Sequence, residues 1–126
     1  MEPTTEGDIT YSKEELGARL RQSRLWCGAS QKSLCAATGI SRSSLGRYEN
    51  GRAEPRVEDL VRLALALQAS LDYLLFGECP PSEEEIAAMR LTWTLRRISG
   101  SEAANVVHLI DGILSQMQLP SSSLVN

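Results

Sequence analysis

The stretch from Ser30 to Gly51, SQKSLCAATGISRSSLGRYENG, leaves the chain few ways to fold. Ser30 is a capable N-cap for a helix that carries Leu34 inward and stops at Gly39. Ile40 and Ser41 lead into another helix, in which Leu45 and Tyr48, three apart, face the core and Asn50-Gly51 supplies the stop. Small residues, Cys35, Ala36 and Ala37, precede the turn, so the two helix axes can approach closely and cross steeply.

Two short helices joined in this way make a helix-turn-helix, and the flanking sequence supplies helices on both sides of it. Ser12 followed by Glu15 has a capping-box pattern, opening a helix with Leu16 and Leu20 on one face and an end near Gly28. After a loop from Arg52 to Pro55, Val57, Leu60, Leu63, Ala64 and Leu67 predict a fourth helix. Ser70 caps a fifth, with Leu71, Leu74 and Leu75 inside and Gly77 at its end. Pro80-Pro81 marks a boundary, because successive prolines cannot continue a helix. Ser82 with Glu85 restarts a helix that runs to about Ser99; Gly100 breaks it, Ser101 restarts, and Ala103, Val107, Ile110, Leu114 and Met117 recur at alternating spacings of four and three. No stretch alternates with period two, so the fold class is all-α.

If Leu45 and Tyr48 point inward, the 100° advance per residue makes Arg42, Ser43, Gly46 and Arg47 the outward strip of the third helix. Arginine pairs bidentately with guanine O6 and N7, and a serine hydroxyl reaches base edge or phosphate. Gly46 costs the helix about 1 kcal/mol relative to alanine, a cost that fits a place where DNA comes close or, more plainly, a tolerated small residue. Gln31, at the start of the second helix, combines an amide with exposed backbone N–H groups where an anion is favoured. Ser41 and Asn50 can donate to backbone phosphates, and Arg52 and Arg56 flank the next loop.

Charge is distributed to match. The formal net charge is -3, yet residues 19–56 hold eight Lys or Arg against Glu49 and Glu54, while residues 1–18 and 57–126 are both acidic. A basic block inside an acidic chain predicts one anionic partner on one face, or else a merely solvated surface. Three cysteines without C-x-x-C spacing and a lone histidine, His108, predict neither a disulfide framework nor a metal site, and no cofactor is implied. The absence of an apolar run of membrane-spanning length and of a secretory leader predicts a cytoplasmic protein with no membrane partner. No Gly-rich phosphate loop or G-x-S-x-G is present, and some 45 helical residues after the first domain cannot make a self-cleaving peptidase, so the chain is not expected to be an enzyme.

Taken together, Ser30-Gln31, Leu34 through Gly39-Ile40-Ser41, Arg47-Tyr48-Glu49-Asn50-Gly51 with Pro55, and Leu71-Asp72-Tyr73-Leu74-Leu75-Phe76-Gly77 resemble the helix-turn-helix domain of phage repressors and Cro proteins, the XRE family. The resemblance covers about Leu16 to Gly77 and implies that Gln31 and Asn50 bind phosphates, that Arg42, Ser43, Gly46 and Arg47 meet bases, and that Arg56 lies near the minor groove. It also implies that Glu49 pairs with Arg24 in a largely buried ion pair. Cys35, where a small alanine is usual, and Gly46 depart from the family pattern.

The expected organisation is a flexible N-terminus at 1–11, a five-helix repressor-like domain at 12–78, a C-terminal helical hairpin for oligomerisation at 79–120 and a tail at 121–126. One such domain covers too few base pairs to be selective, so a homodimer, or a higher oligomer, is expected, held by Trp93, Val107, Ile110, Leu114 and Met117. Function is accordingly expected to be transcriptional regulation, as a dimeric repressor on a palindromic double-stranded operator. The alternative is a protein-interaction module, antitoxin or coactivator-like, whose C-terminal helices hold a partner protein.

Overall fold

A computed structural model describes residues 10–98 and 100–116. Residues 1–9 of the expected flexible N-terminus, Met117 and the 121–126 tail lie outside the described residues. Seven helices make up the described chain: α1 (Lys13–Cys27), α2 (Gln31–Thr38), α3 (Arg42–Glu49), α4 (Val57–Leu67), α5 (Leu71–Phe76), α6 (Glu83–Arg97) and α7 (Gly100–Gln116).

Serine starts most of them. Ser12, Ser30, Ser41 and Ser70 each accept a hydrogen bond from the backbone N–H three residues on, satisfying one of the donors that a helix start leaves unpaired. At Ser82 the exchange is reciprocal, the Ser82 N–H donating to Glu85 Oε1 at 2.9 Å and the Glu85 N–H to Ser82 Oγ at 3.1 Å. Ser12 works differently: Glu15 donates its N–H to Ser12, but its carboxylate is bonded to Arg19 at 2.7 Å.

Contacts divide the chain between Trp93 and Thr94. In the first unit α1 packs against α3, α4 and α5, and α2 against α3 and α4. Leu16, Leu20, Leu34, Leu45, Leu63, Leu67 and Leu74 are fully buried at its centre. Hydrophobic burial of this kind is the main force holding helices too short to persist alone. Leu71, expected inside, is exposed.

By their contacts, residues 79–93, expected in the C-terminal region, group with the first unit. Met89 and Trp93, four apart on one stripe of α6, belong to the same core as the leucines, and Trp93 retains 6% exposure. Prolines 80 and 81 turn the chain without closing the core. Arg90, next to Met89, donates its Nε hydrogen to the Trp26 carbonyl oxygen at 3.1 Å, near the C-terminus of α1, where a cation is favoured. Tyr11, assigned from sequence to the mobile end, donates its phenol hydrogen to Glu54 Oε2 at 2.7 Å. In the second unit α7 exposes Val107, Leu109 and Ile113.

Candidate nucleic-acid interface

The turn between α2 and α3 depends on Gly39, whose φ of 79° is a left-handed conformation that costs a side-chain-bearing residue about 1 kcal/mol or more. Its N–H caps the Cys35 carbonyl, and Ile40 is then buried, so the chain enters α3 anchored on the core. Ser41 caps α3 through the Ser44 N–H at 3.0 Å. Leu45 and Tyr48 are buried, which fixes the rotation of the helix. Arg42, Ser43 and Arg47 are all exposed, Ser43 and Arg47 opposite the buried pair and Arg42 on its flank at the helix start. A Cβ built on Gly46 would meet nothing within 4 Å, so the strip has an open notch at its middle.

Asn50 is exposed at the C-cap of α3 and Gly51 takes the left-handed conformation after it. Arg52 is exposed. Arg56 is the N-cap residue of α4, with 73% of its side chain exposed and its guanidinium 3.6 Å from Asp59 and 3.8 Å from Glu58. These acids partly neutralise it, which tempers its value as a phosphate ligand.

Arg24 and Glu49 form a buried, two-pronged ion pair, with Nε to Oε2 at 2.7 Å and the second guanidinium nitrogen to Oε1 at 2.9 Å. The third Arg24 nitrogen donates to the Ala29 carbonyl at 3.0 Å, so the fork ties the end of α1, the loop before α2 and the end of α3 together. Gln31, expected at a phosphate, also joins this group: its Nε2 donates to Glu49 Oε1 at 3.0 Å.

Two features of the site escaped the sequence reading. Asp59 is 3% exposed and accepts the Tyr48 phenol hydrogen at 2.6 Å, bracing α3 from α4. Its signal was present, since Asp59, Leu63 and Leu67 share one stripe and a carboxylate there needs a buried donor. Burial, and then the bond to Asp59, pushes the Tyr48 phenol above its ordinary pKa. Gly17 is the other: a Cβ there would collide with the Tyr48 carbonyl oxygen and sit 3.0 Å from that of Glu49. A glycine inside α1 is as costly as one inside α3, and the same reasoning applied to Gly46 would have marked it.

Burial raises the Cys35 thiol, opposed by the nearby Arg42 charge, and Cys27 is buried. No cluster able to hold a metal ion occurs among the described residues. Of the residues assigned to oligomerisation, Val107 is exposed, Ile110 and Leu114 are half-buried and Met117 lies outside the described residues. Trp93, also assigned to oligomerisation, is buried in the core of the first unit.

A family model described as a helix-turn-helix domain matches residues 15–75. The SPbeta prophage-derived HTH-type transcriptional regulator YonR of Bacillus subtilis is 41% identical over 61 residues, 48% of this chain and 56% of its own length. The HTH-type transcriptional regulator DicA of Escherichia coli is 35% identical over 77 residues, 57% of each chain. The chain thus spans little more than half the length of these two relatives. Among solved structures, the DNA-binding domain of the P22 c2 repressor, determined in solution, superimposes with a TM-score of 0.50 at 32% identity, covering 57% of this chain and 95% of that one. With that much of a solved repressor domain matched in sequence and in space, and with the turn, the caps and the buried ion pair in place, the chain belongs to the phage repressor/Cro-type, or XRE, family of helix-turn-helix proteins.

Proposed function

We propose that this protein is a sequence-specific DNA-binding transcriptional regulator, a repressor that occupies a palindromic operator as a homodimer. The observation that carries the reading is the exposed strip Arg42, Ser43, Arg47 around the notch at Gly46, on a helix whose other side is locked into the core. Arginine on such a strip reads guanine in the major groove, and Gln31, Ser41, Asn50, Arg52 and Arg56 surround it with donors suited to phosphates. Relatives named as transcriptional regulators support the same role. Repression follows from occupancy alone, whereas activation needs a surface matched to polymerase.

Pairing is supported by the apolar residues Val107, Leu109 and Ile113 that α7 leaves exposed. Two half-sites about one helical turn apart supply the selectivity that one recognition helix lacks. No helix among the described residues is long and apolar enough to cross a membrane, and the reading places the protein with the DNA in the cytoplasm and assigns it no catalysis.

A competition mobility-shift titration with the DNA upstream of its own gene against random duplex tests this reading. The expected result is a preference of about a thousandfold or more that survives physiological salt. Binding that is equally weak on both duplexes and vanishes with salt would instead describe a bridging module whose partner is a protein.

A further inference from the structure

Gln31 is tied to a buried ion pair. Its amide nitrogen donates to Glu49 Oε1 at 3.0 Å, the same oxygen that receives the second guanidinium nitrogen of Arg24 at 2.9 Å. Glu49 is buried and doubly held by Arg24, so it cannot follow a moving amide; the amide must settle on it. A glutamine side chain otherwise samples many rotamers, and ordering it on binding costs about 1 kcal/mol or more. Gln31 is the first residue of α2, only half-buried, and one of its two amide hydrogens is used by Glu49.

We propose that Glu49, fixed by Arg24, is a positioning residue for DNA binding: it pre-orients the Gln31 amide so that the remaining N–H is presented to a backbone phosphate at the N-terminus of α2. The buried ion pair then serves two purposes, joining α1 to α3 and setting the register of the protein on the duplex. This rests on the DNA-binding reading above. Because a phosphate carries no base identity and the amide no charge, the device raises affinity for every sequence alike and leaves the salt dependence unaltered.

A double-mutant cycle on random-sequence 20-base-pair duplex DNA at low salt tests this without knowledge of the operator. The variants are Gln31→Ala, the pair replacement Arg24→Met with Glu49→Leu, and all three changes together. Replacing a buried pair with apolar residues of similar volume is often neutral or better for stability, so folding is checked first by thermal melts. Expected are losses of about tenfold for Gln31→Ala and of similar size for the pair replacement, with no further loss in the triple variant. The slope of log K against log salt should stay the same in all four proteins. An equal loss from Gln31→Ala in both backgrounds, or full affinity in the pair replacement, would overturn the proposal. Absence of salt-dependent binding by the unmodified protein would overturn the DNA-binding reading itself, and this inference with it.

Should the pair replacement fail to fold, the unmodified protein gives the second readout. In nitrogen-edited NMR spectra the two Gln31 side-chain amide protons should be well separated in the free protein, with one slow to exchange. On adding the duplex the other proton should shift most. Degenerate, fast-exchanging amide protons in the free protein would overturn the pre-orientation.

Discussion

Tyr48 and Asp59, on the successive helices α3 and α4 of the first unit, share a hydrogen bond of 2.6 Å in which the phenol donates to a carboxylate almost wholly removed from solvent. Arg56 at 3.6 Å and Arg62 at 3.9 Å lie on the solvent side of the same carboxylate. The loop that carries Arg52 and the end of α3 are thus held by a buried polar contact as well as by leucine packing.

Tyr48→Phe removes the donor and keeps the ring. With the two arginines left to Asp59, the expected loss is about 1.5 kcal/mol of unfolding free energy, measured by urea titration at neutral pH. A neutral result would mean that the arginines alone satisfy Asp59.

Alkaline pH should act through the same phenols. Tyr11 is pushed up to about 12, first by burial and then by its bond to Glu54, and Tyr48 and Tyr73 are raised as well, chiefly by burial. A folded pKa above the unfolded value of about 10 adds stability that is complete below pH 10 and disappears as pH climbs through the folded value. Absorbance at 295 nm should therefore show little tyrosinate in the folded protein at pH 10, and melting temperatures should fall between about pH 10 and 12. Glu54→Gln should bring one of the three ionisations down towards the ordinary value.

Gly17 and Gly46 should respond oppositely to alanine. At Gly17 an added methyl strikes backbone of α3, which cannot yield without parting two helices, and a loss of about 2 kcal/mol or more is expected. At Gly46 it enters open space, so Gly46→Ala should stabilise the free protein by about 0.5–1 kcal/mol through helix propensity while weakening DNA binding. Thermal melts and duplex titrations on one pair of samples separate the two effects; unchanged DNA affinity in Gly46→Ala would make the notch incidental.

Trp93→Ala should cost about 3–5 kcal/mol, as truncation of a buried tryptophan does, and leave the oligomeric mass unchanged wherever the variant folds. A chain ended at Gly77 loses Met89 and Trp93 from its core and should melt well below the full-length protein. Ending the chain at Ile98 keeps both and removes α7. Light scattering should report that shorter protein as a monomer, and a persistent dimer would transfer the pairing to the first unit.

Arg42→Ala and Arg47→Ala should each reduce discrimination between operator and random duplex by about 1–3 kcal/mol if the lost contact is bidentate to guanine. Competition titrations distinguish this from a plain phosphate role, which would weaken both duplexes by the same factor.

Local chemistry was legible in the amino-acid order because it acts over three or four residues. Serine caps, the left-handed Gly39 and the inward pair Leu45 and Tyr48 determine where α2 and α3 begin, end and face, and hence that Arg42, Ser43 and Arg47 share the outer strip. Contacts between distant parts of the chain depend on how helices cross, and no spacing encodes that. Packing decided that Gln31 meets Glu49 eighteen residues away, that Gly17 lies against the end of α3, and that Trp93 joins the core of the first unit. A helix stripe shows in sequence that a residue seeks apolar company; the crossing of the helices chooses the company.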